Sequence, residues 1–160
     1  MTQLQTVIQK IQEKHEEFGI VLNSPVTATA IEEFERVYGL TIPEDILSFY
    51  SYCNGFEAQD DFLNILSLED ITHQERTYQT GIFGRQFVFA EYMIYSDSWA
   101  VKLTPKENFA YEIINSDHDM GELVVLTNSL ADFIIRYLNG SGVFGDKGLY
   151  EWYKQRKVVN

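Results

Sequence analysis

The sequence is poor in cysteine and proline. Its one cysteine, Cys53, excludes an internal disulfide and a zinc site built from several cysteines. It holds three prolines, and no proline-rich, repetitive or low-complexity segment provides a linker. We therefore expect residues 1–160 to form a single domain.

Basic residues are also scarce. Twelve lysines and arginines face twenty-four aspartates and glutamates, which gives a formal net charge of −12. Such a field repels phosphate groups and anionic membrane surfaces and attracts basic proteins. We therefore expect no direct binding to nucleic acid or to a membrane.

Long apolar runs are missing as well. No stretch approaches the roughly 18 apolar residues of a membrane-spanning helix. The N-terminal sequence MTQLQTVIQKIQEKHEEFGI contains acidic residues and no apolar core, unlike a signal peptide. These observations predict a cytoplasmic protein.

Signatures of catalysis and metal binding are absent too. There is no GxSxG, Walker or GxGxxG pattern, and Cys53 lies on an apolar helix face with no histidine close in sequence. The segment SDHDMGE gathers four possible metal ligands, Asp117, His118, Asp119 and Glu122, but lacks the spacing of a calcium loop. A solvated turn is the favoured interpretation. We expect no catalytic residue, metal or cofactor.

What is present is an alternation of helical and extended patterns. Apolar spacing predicts helices over residues 2–18, before Gly39, after Pro43, from Ser67 to Tyr78, after Ser129 and in the tail. Thr29 and Glu32 are interpreted as a capping box. The segments DFLNIL, RQFVFAEYMIY, SWAVKLT, NFAYEIIN and GELVVLT predict strands. The order indicates an α+β fold, with an antiparallel-rich mixed sheet of about four to six strands packed against N-terminal and C-terminal helices.

Acidic residues are concentrated in one part of the chain. Eight of them lie from Val37 to Glu75, where there is no lysine or arginine, whereas residues 147–160 carry four basic residues and one acidic residue. A solvated surface and a binding face both explain this asymmetry. For a binding face, the candidate contacts are acidic residues in loops and near strand turns. They are Glu57, Asp60, Asp61, Glu69, Asp70, Glu91, Asp97, Asp117, Asp119 and Glu122.

Aromatic side chains lie close to these acids in the sequence. They are Phe56, Phe62, Tyr92, Tyr95 and Trp99. Most are expected in the core, and one or two are candidate anchors for a partner, because desolvated aromatic residues often dominate binding energy.

The segment IEEFERVYGLTIPEDILSFYSYCNGF resembles the opening signature of the SUKH superfamily, which includes the Smi/Knr cell-wall regulators of fungi. It has a glutamate-bearing helix, a glycine, the pair Ile42-Pro43, an aromatic helix and Asn54-Gly55. FLNILSLEDI, SWAVKL and SLADFIIRYL are similar to later segments of the family, so the resemblance covers about residues 25–140. Ile42 departs from the usual leucine, and EYMIYSDSWAV matches the middle strands only in part.

The resemblance implies a binding protein without enzymatic activity. Bacterial members are largely immunity proteins that block a cognate toxin, often a nuclease. The expected partner is thus a toxin with a basic surface, and the oligomeric state is left open. Two alternatives remain: a SUKH-fold regulatory or scaffold protein with a cellular partner, and a small hydrolase with an unrecognised site.

Overall fold

The computed structural model describes residues 2–78, 86–103, 110–115 and 124–159. Within these ranges there are six helices and seven strands. The helices are α1 (Gln3–Phe18), α2 (Ala28–Tyr38), α3 (Glu44–Tyr52), α4 (Leu68–Tyr78), α5 (Leu130–Asn139) and α6 (Leu149–Val159). The strands are β1 (Ile20–Leu22), β2 (Phe56–Ala58), β3 (Leu63–Ile65), β4 (Gln86–Tyr92), β5 (Asp97–Leu103), β6 (Tyr111–Asn115) and β7 (Val124–Thr127).

The helices α4 and α5 begin at side-chain caps. The Ser67 hydroxyl accepts a hydrogen bond from the Asp70 amide (3.1 Å), and the Ser129 hydroxyl accepts one from the Asp132 amide (3.2 Å). These bonds satisfy amides that have no partner inside the helix. The predicted starts of α4 and α5 are therefore confirmed.

The start of α2 corrects one prediction. The capping box of Thr29 and Glu32 is wrong, because the N-cap is Thr27, whose hydroxyl accepts a hydrogen bond from the Ala30 amide (3.1 Å). Since the helix begins earlier, Thr29 lies inside its first turn. The predicted end at Gly39 is confirmed by its left-handed φ of 64°.

The seven strands form one sheet in chain order, and every neighbouring pair is antiparallel. The α+β fold is confirmed, but the predicted four to six strands is an undercount. The two unpredicted strands are β1 and β2, each three residues long. Three residues are too few for an alternating pattern to be recognised in the sequence, so pairing with neighbouring strands defines β1 and β2.

Aromatic rings from two helices pack on the central strands. The Phe34 ring of α2 lies 5.0 Å from Phe87 of β4, and the Phe133 ring of α5 lies 5.0 Å from Phe89 and 6.0 Å from Trp99. These edge-to-face contacts are favourable beyond the apolar area that they bury. They make the sheet and its helices a firm support for the turns. In the described part of the chain, no helix combines the length and apolar character that a membrane crossing requires.

Candidate functional site

The β2–β3 turn is anchored to the end of α1. The Gln59 amide donates to the Gly19 carbonyl (3.1 Å), and the Asp60 amide donates to the Phe18 carbonyl (3.0 Å). Both side chains are exposed. Because β2 alternates between buried and exposed positions, the Glu57 side chain between its two buried neighbours also faces solvent. The backbone of the turn is fixed while Glu57 and Asp60 stay accessible.

Asp61, next in the chain, has an internal role. Its Oδ2 accepts hydrogen bonds from the Tyr137 hydroxyl (2.8 Å) and the Val143 amide (3.1 Å). Burial raises the pKa of Tyr137, and the Asp61 charge raises it further. Asp61 therefore connects the β2–β3 turn to the segment after α5.

Large apolar side chains project from two adjoining turns. Phe62 ends the β2–β3 turn, and Met93 and Ile94 form the tip of the β4–β5 turn. Their exposed fractions are 59%, 49% and 90%, respectively. The Met93 amide donates to the Phe62 carbonyl (3.1 Å), so the two turns are joined. An exposed apolar group of this kind is typical of a contact surface.

The same residues have an unfavourable backbone conformation. The φ angles of Phe62, Met93, Ile94 and Tyr95 are 61°, 47°, 52° and 62°. A side chain other than glycine costs roughly 1–2 kcal/mol in this left-handed region, and asparagine and aspartate tolerate it best. Three consecutive bulky residues at such angles are held there by surrounding interactions.

Glu91 provides the main support for the β4–β5 turn. Its Oε2 accepts a hydrogen bond from the Tyr95 amide (2.8 Å), and its Oε1 accepts one from the Asn64 side-chain amide. Glu57 pairs with Asn64, and Asn64 pairs with Glu91, across neighbouring strands. Paired residues share a face of the sheet, so the three polar side chains form a row on one face.

Two of the sequence-predicted contact residues lie in the interior. Glu91 is 4% exposed and Asp97 is 0% exposed. Asp97 Oδ1 accepts a hydrogen bond from the Ser98 amide (2.8 Å). Because neither carboxylate faces solvent, we leave both out of the candidate surface.

Glu69 and Asp70 are exposed at the first turn of α4, beyond the other end of the β2–β3 pair. Glu69 Oε1 accepts a hydrogen bond from the buried Asn54 side-chain amide (2.7 Å). Both acids also favour the positive end of the helix. The predicted acidic positions thus divide into a group at the turns and a group at α4. The predicted positions Asp117, Asp119 and Glu122 lie outside the described residues.

Within the part of the chain that the structure describes, the accessible acids of the turns and of α4 have no basic side chain at ion-pair distance. In the described ranges, ion pairs are found within α1, within α2 and within α6, all at a spacing of three residues. None involves Glu57, Asp60, Glu69 or Asp70. Their charge is therefore available to an external cation.

A hollow of about 280 Å³ lies between the two turns. Its lining includes polar side chains, those of Glu57, Asn64 and Glu91, and apolar side chains, those of Phe62, Met93 and Ile94. We call the surface formed by Glu57, Asp60, Phe62, Met93 and Ile94 the two-turn surface. The sequence indicated Glu57, Asp60 and Phe62, but it gave no indication of Met93 and Ile94, which lie inside a segment predicted as continuous strand.

A larger groove of about 720 Å³ lies where the N-termini of α1, α3 and α5 meet. Its lining includes the carboxylates of Glu44 and Asp45, which begin α3. Asp45 accepts a hydrogen bond from the Tyr111 hydroxyl, which in turn accepts one from the Leu130 amide (2.8 Å). This chain of bonds connects α3, β6 and α5 and gives Asp45 a structural role.

Cys53 is buried at the end of α3, as the sequence predicts. Burial raises the pKa of its thiol to about 12. Because the thiolate is the reactive form, this thiol behaves as a packing group at neutral pH.

Comparison with known proteins agrees with the resemblance seen in the sequence. The model of the SMI1 / KNR4 family (SUKH-1) matches residues 25–136, which is more than half of the chain. None of the curated proteins compared with the chain matches it. The matched region runs from the segment before α2 into α5 and so contains both turns and the hollow. The chain therefore belongs to the SMI1 / KNR4 family (SUKH-1).

Proposed function

We propose that the protein is a bacterial immunity protein, which binds a cognate protein toxin and blocks it through an acidic surface. Membership of the family supports a protein-binding role. The observation that carries the proposal is the set of exposed carboxylates without ion pairs in the described ranges, at Glu57, Asp60, Glu69 and Asp70. No bond is made or broken in this function, and inhibition is stoichiometric.

A basic partner follows from the charge. A nuclease toxin must present lysines and arginines to hold phosphates. An inhibitor of the opposite sign associates faster and covers that basic surface. Asp117, Asp119 and Glu122, predicted from the sequence, remain part of this proposal. We propose a cytoplasmic location, where a toxin that acts on nucleic acid would meet its target.

The experiment uses the toxin domain encoded by the open reading frame beside the gene for this chain. Cells that express this domain are expected to survive only when the chain is co-expressed. Titration calorimetry with the purified domain is expected to give a one-to-one complex. If the chain gives no protection and does not bind, or if no adjacent frame encodes a toxic protein, the proposal is wrong.

Two charge reversals locate the binding face. Glu57→Lys is expected to weaken binding of the toxin domain roughly tenfold or more, because a basic partner then meets a like charge. Glu32→Lys, on the exposed surface of α2, is the matched control. Both variants change the net charge from −12 to −10, so a loss of affinity specific to Glu57→Lys reflects position rather than total charge. Equal effects would contradict a local acidic contact.

A further inference from the structure

The two-turn surface contains large apolar side chains whose presence the stability of the fold does not explain. Ile94 is 90% exposed at a φ of 52°, so it contributes little to the core and occupies a conformation that β-branched residues avoid. Phe62 and Met93 combine exposure with positive φ in the same way. Large apolar residues that are exposed and that also have an unfavourable φ indicate a contact with another molecule.

The turn that carries these side chains is held firmly in place before any partner binds. The Glu91 carboxylate accepts a hydrogen bond from the Tyr95 amide, and the Ser96 hydroxyl donates one to the Met93 carbonyl (2.8 Å). The Tyr95 hydroxyl accepts a hydrogen bond from the buried Gln74 side chain of α4. A surface that is already ordered loses less entropy on binding.

The hollow beside these side chains selects the kind of group that enters it. Its lining combines the apolar side chains of Phe62, Met93 and Ile94 with the exposed carboxylate of Glu57. A long basic side chain matches both kinds of lining group, because its alkyl stem is apolar and its end is a cation. Arginine fits best, since its flat guanidinium forms paired hydrogen bonds with a carboxylate and stacks on aromatic rings.

We propose that the hollow between the β2–β3 and β4–β5 turns binds an arginine side chain of the protein partner, with Phe62, Met93 and Ile94 packed around its stem. Glu57 receives the guanidinium, and the Asn64 side chain, whose amide donates a hydrogen bond to Glu91, also lines the hollow. The identity of the protein that carries the arginine rests on the proposed function, but the binding of the side chain does not.

The first test uses N-acetyl-arginine methylamide as the probe and the ¹⁵N-labelled chain as the receptor. The probe is expected to bind in the millimolar range and to shift the signals of the Asn64 side-chain amide and the Gln59 and Met93 backbone amides. Its neutral counterpart, N-acetyl-citrulline methylamide, is expected to give no saturable shift. Glu57→Gln is expected to weaken binding at least fivefold, whereas the matched Glu32→Gln leaves it unchanged.

Some results of this titration would overturn the proposal. They are equal shifts with the citrulline probe, unchanged binding in Glu57→Gln, or shifts located away from the two turns. None of these would bear on protection from a toxin, so the two proposals fail separately.

The second test uses variants that relieve the backbone strain at the turns and so do not destabilise the fold. Asparagine tolerates positive φ, so Ile94→Asn and Phe62→Asn are expected to keep or raise the thermal midpoint. The same variants are expected to weaken binding of the toxin domain at least tenfold through faster dissociation. The control is Val125→Asn, at an exposed position on β7, which is expected to change affinity less than twofold. Unchanged affinity in both turn variants, in a chain that still protects cells, would contradict the inference and leave the immunity function standing.

Discussion

At the scale of single residues, neighbouring carboxylates of one acidic run have different roles. Glu57 and Asp60 face solvent, whereas Asp61 accepts two hydrogen bonds from within the protein. Their residue types and sequence positions are almost the same. The difference arises because the β2–β3 turn directs Asp61 toward Tyr137 of α5.

Tyr137→Phe measures the contribution of this internal contact. The variant keeps the buried ring and removes the hydroxyl that donates to Asp61, so the free energy of unfolding is expected to fall by about 1–2 kcal/mol. Urea unfolding at pH 7 is the measurement. Tyr52→Phe is the control, because no hydrogen bond of the Tyr52 hydroxyl is found in the described ranges, and a change below about 0.5 kcal/mol is expected. Equal losses in both variants would contradict the role of Asp61.

The pH dependence of stability in wild type and Tyr137→Phe tests whether the Tyr137 hydroxyl stays protonated in the folded protein. The pKa of Tyr137 is raised by burial and by Asp61, above the value of about 10 in the unfolded chain. Its contribution to stability is therefore complete below pH 10 and is lost as the pH rises further through the folded pKa. The stability difference between wild type and Tyr137→Phe is expected to be constant from pH 7 to about 9 and to shrink above about pH 10. A difference that grows with alkaline pH would contradict this assignment.

At the scale of elements, one glycine determines how α3 connects to the β2–β3 pair. Gly55 has a φ of 83°, and a Cβ atom there would lie 2.2 Å from the Ile65 carbonyl oxygen. The neighbouring Asn54 side chain accepts a hydrogen bond from the Leu68 amide (2.9 Å) at the start of α4. The close approach at Gly55 therefore places β2, and Glu57 with it, next to β3.

Gly55→Ala is expected to destabilise the protein by about 4 kcal/mol or more, because the clash is with backbone and moving it disturbs the strand pair. Gly39→Ala is the matched control. Gly39 also has a positive φ, 64°, but a Cβ atom there would meet no atom of the described residues within 4 Å. Its cost is the conformational strain alone, about 1–2 kcal/mol. Thermal and urea unfolding of both variants measures the two losses of stability. Similar losses would show that the clash between a Cβ atom at position 55 and the Ile65 carbonyl is unimportant.

Elements were predictable where the local signal was strong. Ser67 and Ser129 precede helices in the sequence and cap them in the structure. A break between β4 and β5 was predicted at residues 96–97, after the segment RQFVFAEYMIY, but the turn begins earlier, at Met93. This start was not predictable, because Met93 and Ile94 have strand-like side chains and no glycine or asparagine marks the reversal. Tertiary contacts through Glu91 overcome that local preference.

At the scale of the whole molecule, charge is distributed unevenly. Residues 147–160 carry +3, which leaves −15 on residues 1–146 from the total of −12. Most of the positive charge of this segment lies on α6, where Lys154, Arg156 and Lys157 are exposed. A basic partner is therefore attracted to the rest of the molecule before any contact forms.

Salt is expected to act on the rate of association with the toxin domain. Raising the ionic strength from about 0.01 M to about 0.15 M shortens the screening length from about 30 Å to about 8 Å. The association rate constant is expected to fall about tenfold, with little change in dissociation. Stopped-flow fluorescence measures both rates.

The variant Ile94→Asn, which removes an apolar side chain and leaves the charge unchanged, is compared with wild type in the same measurement. It is expected to dissociate faster, with an association rate and a salt dependence close to those of wild type. If the association rate of the wild-type chain is independent of salt, attraction by the acidic surface is not part of the mechanism.

The sequence by itself determined the class of the protein. The order of helical and alternating patterns, the caps and the net charge are local or additive properties, so they predicted an α+β fold and favoured a basic partner. The family was indicated separately, by the resemblance of ordered motifs to the SUKH superfamily. The tertiary structure alone decided which acidic residues face solvent, because burial depends on strand register and on contacts between residues far apart in the chain. Asp61 reaches Tyr137, Glu91 lies beneath a turn, and Ile94 projects into solvent for that reason.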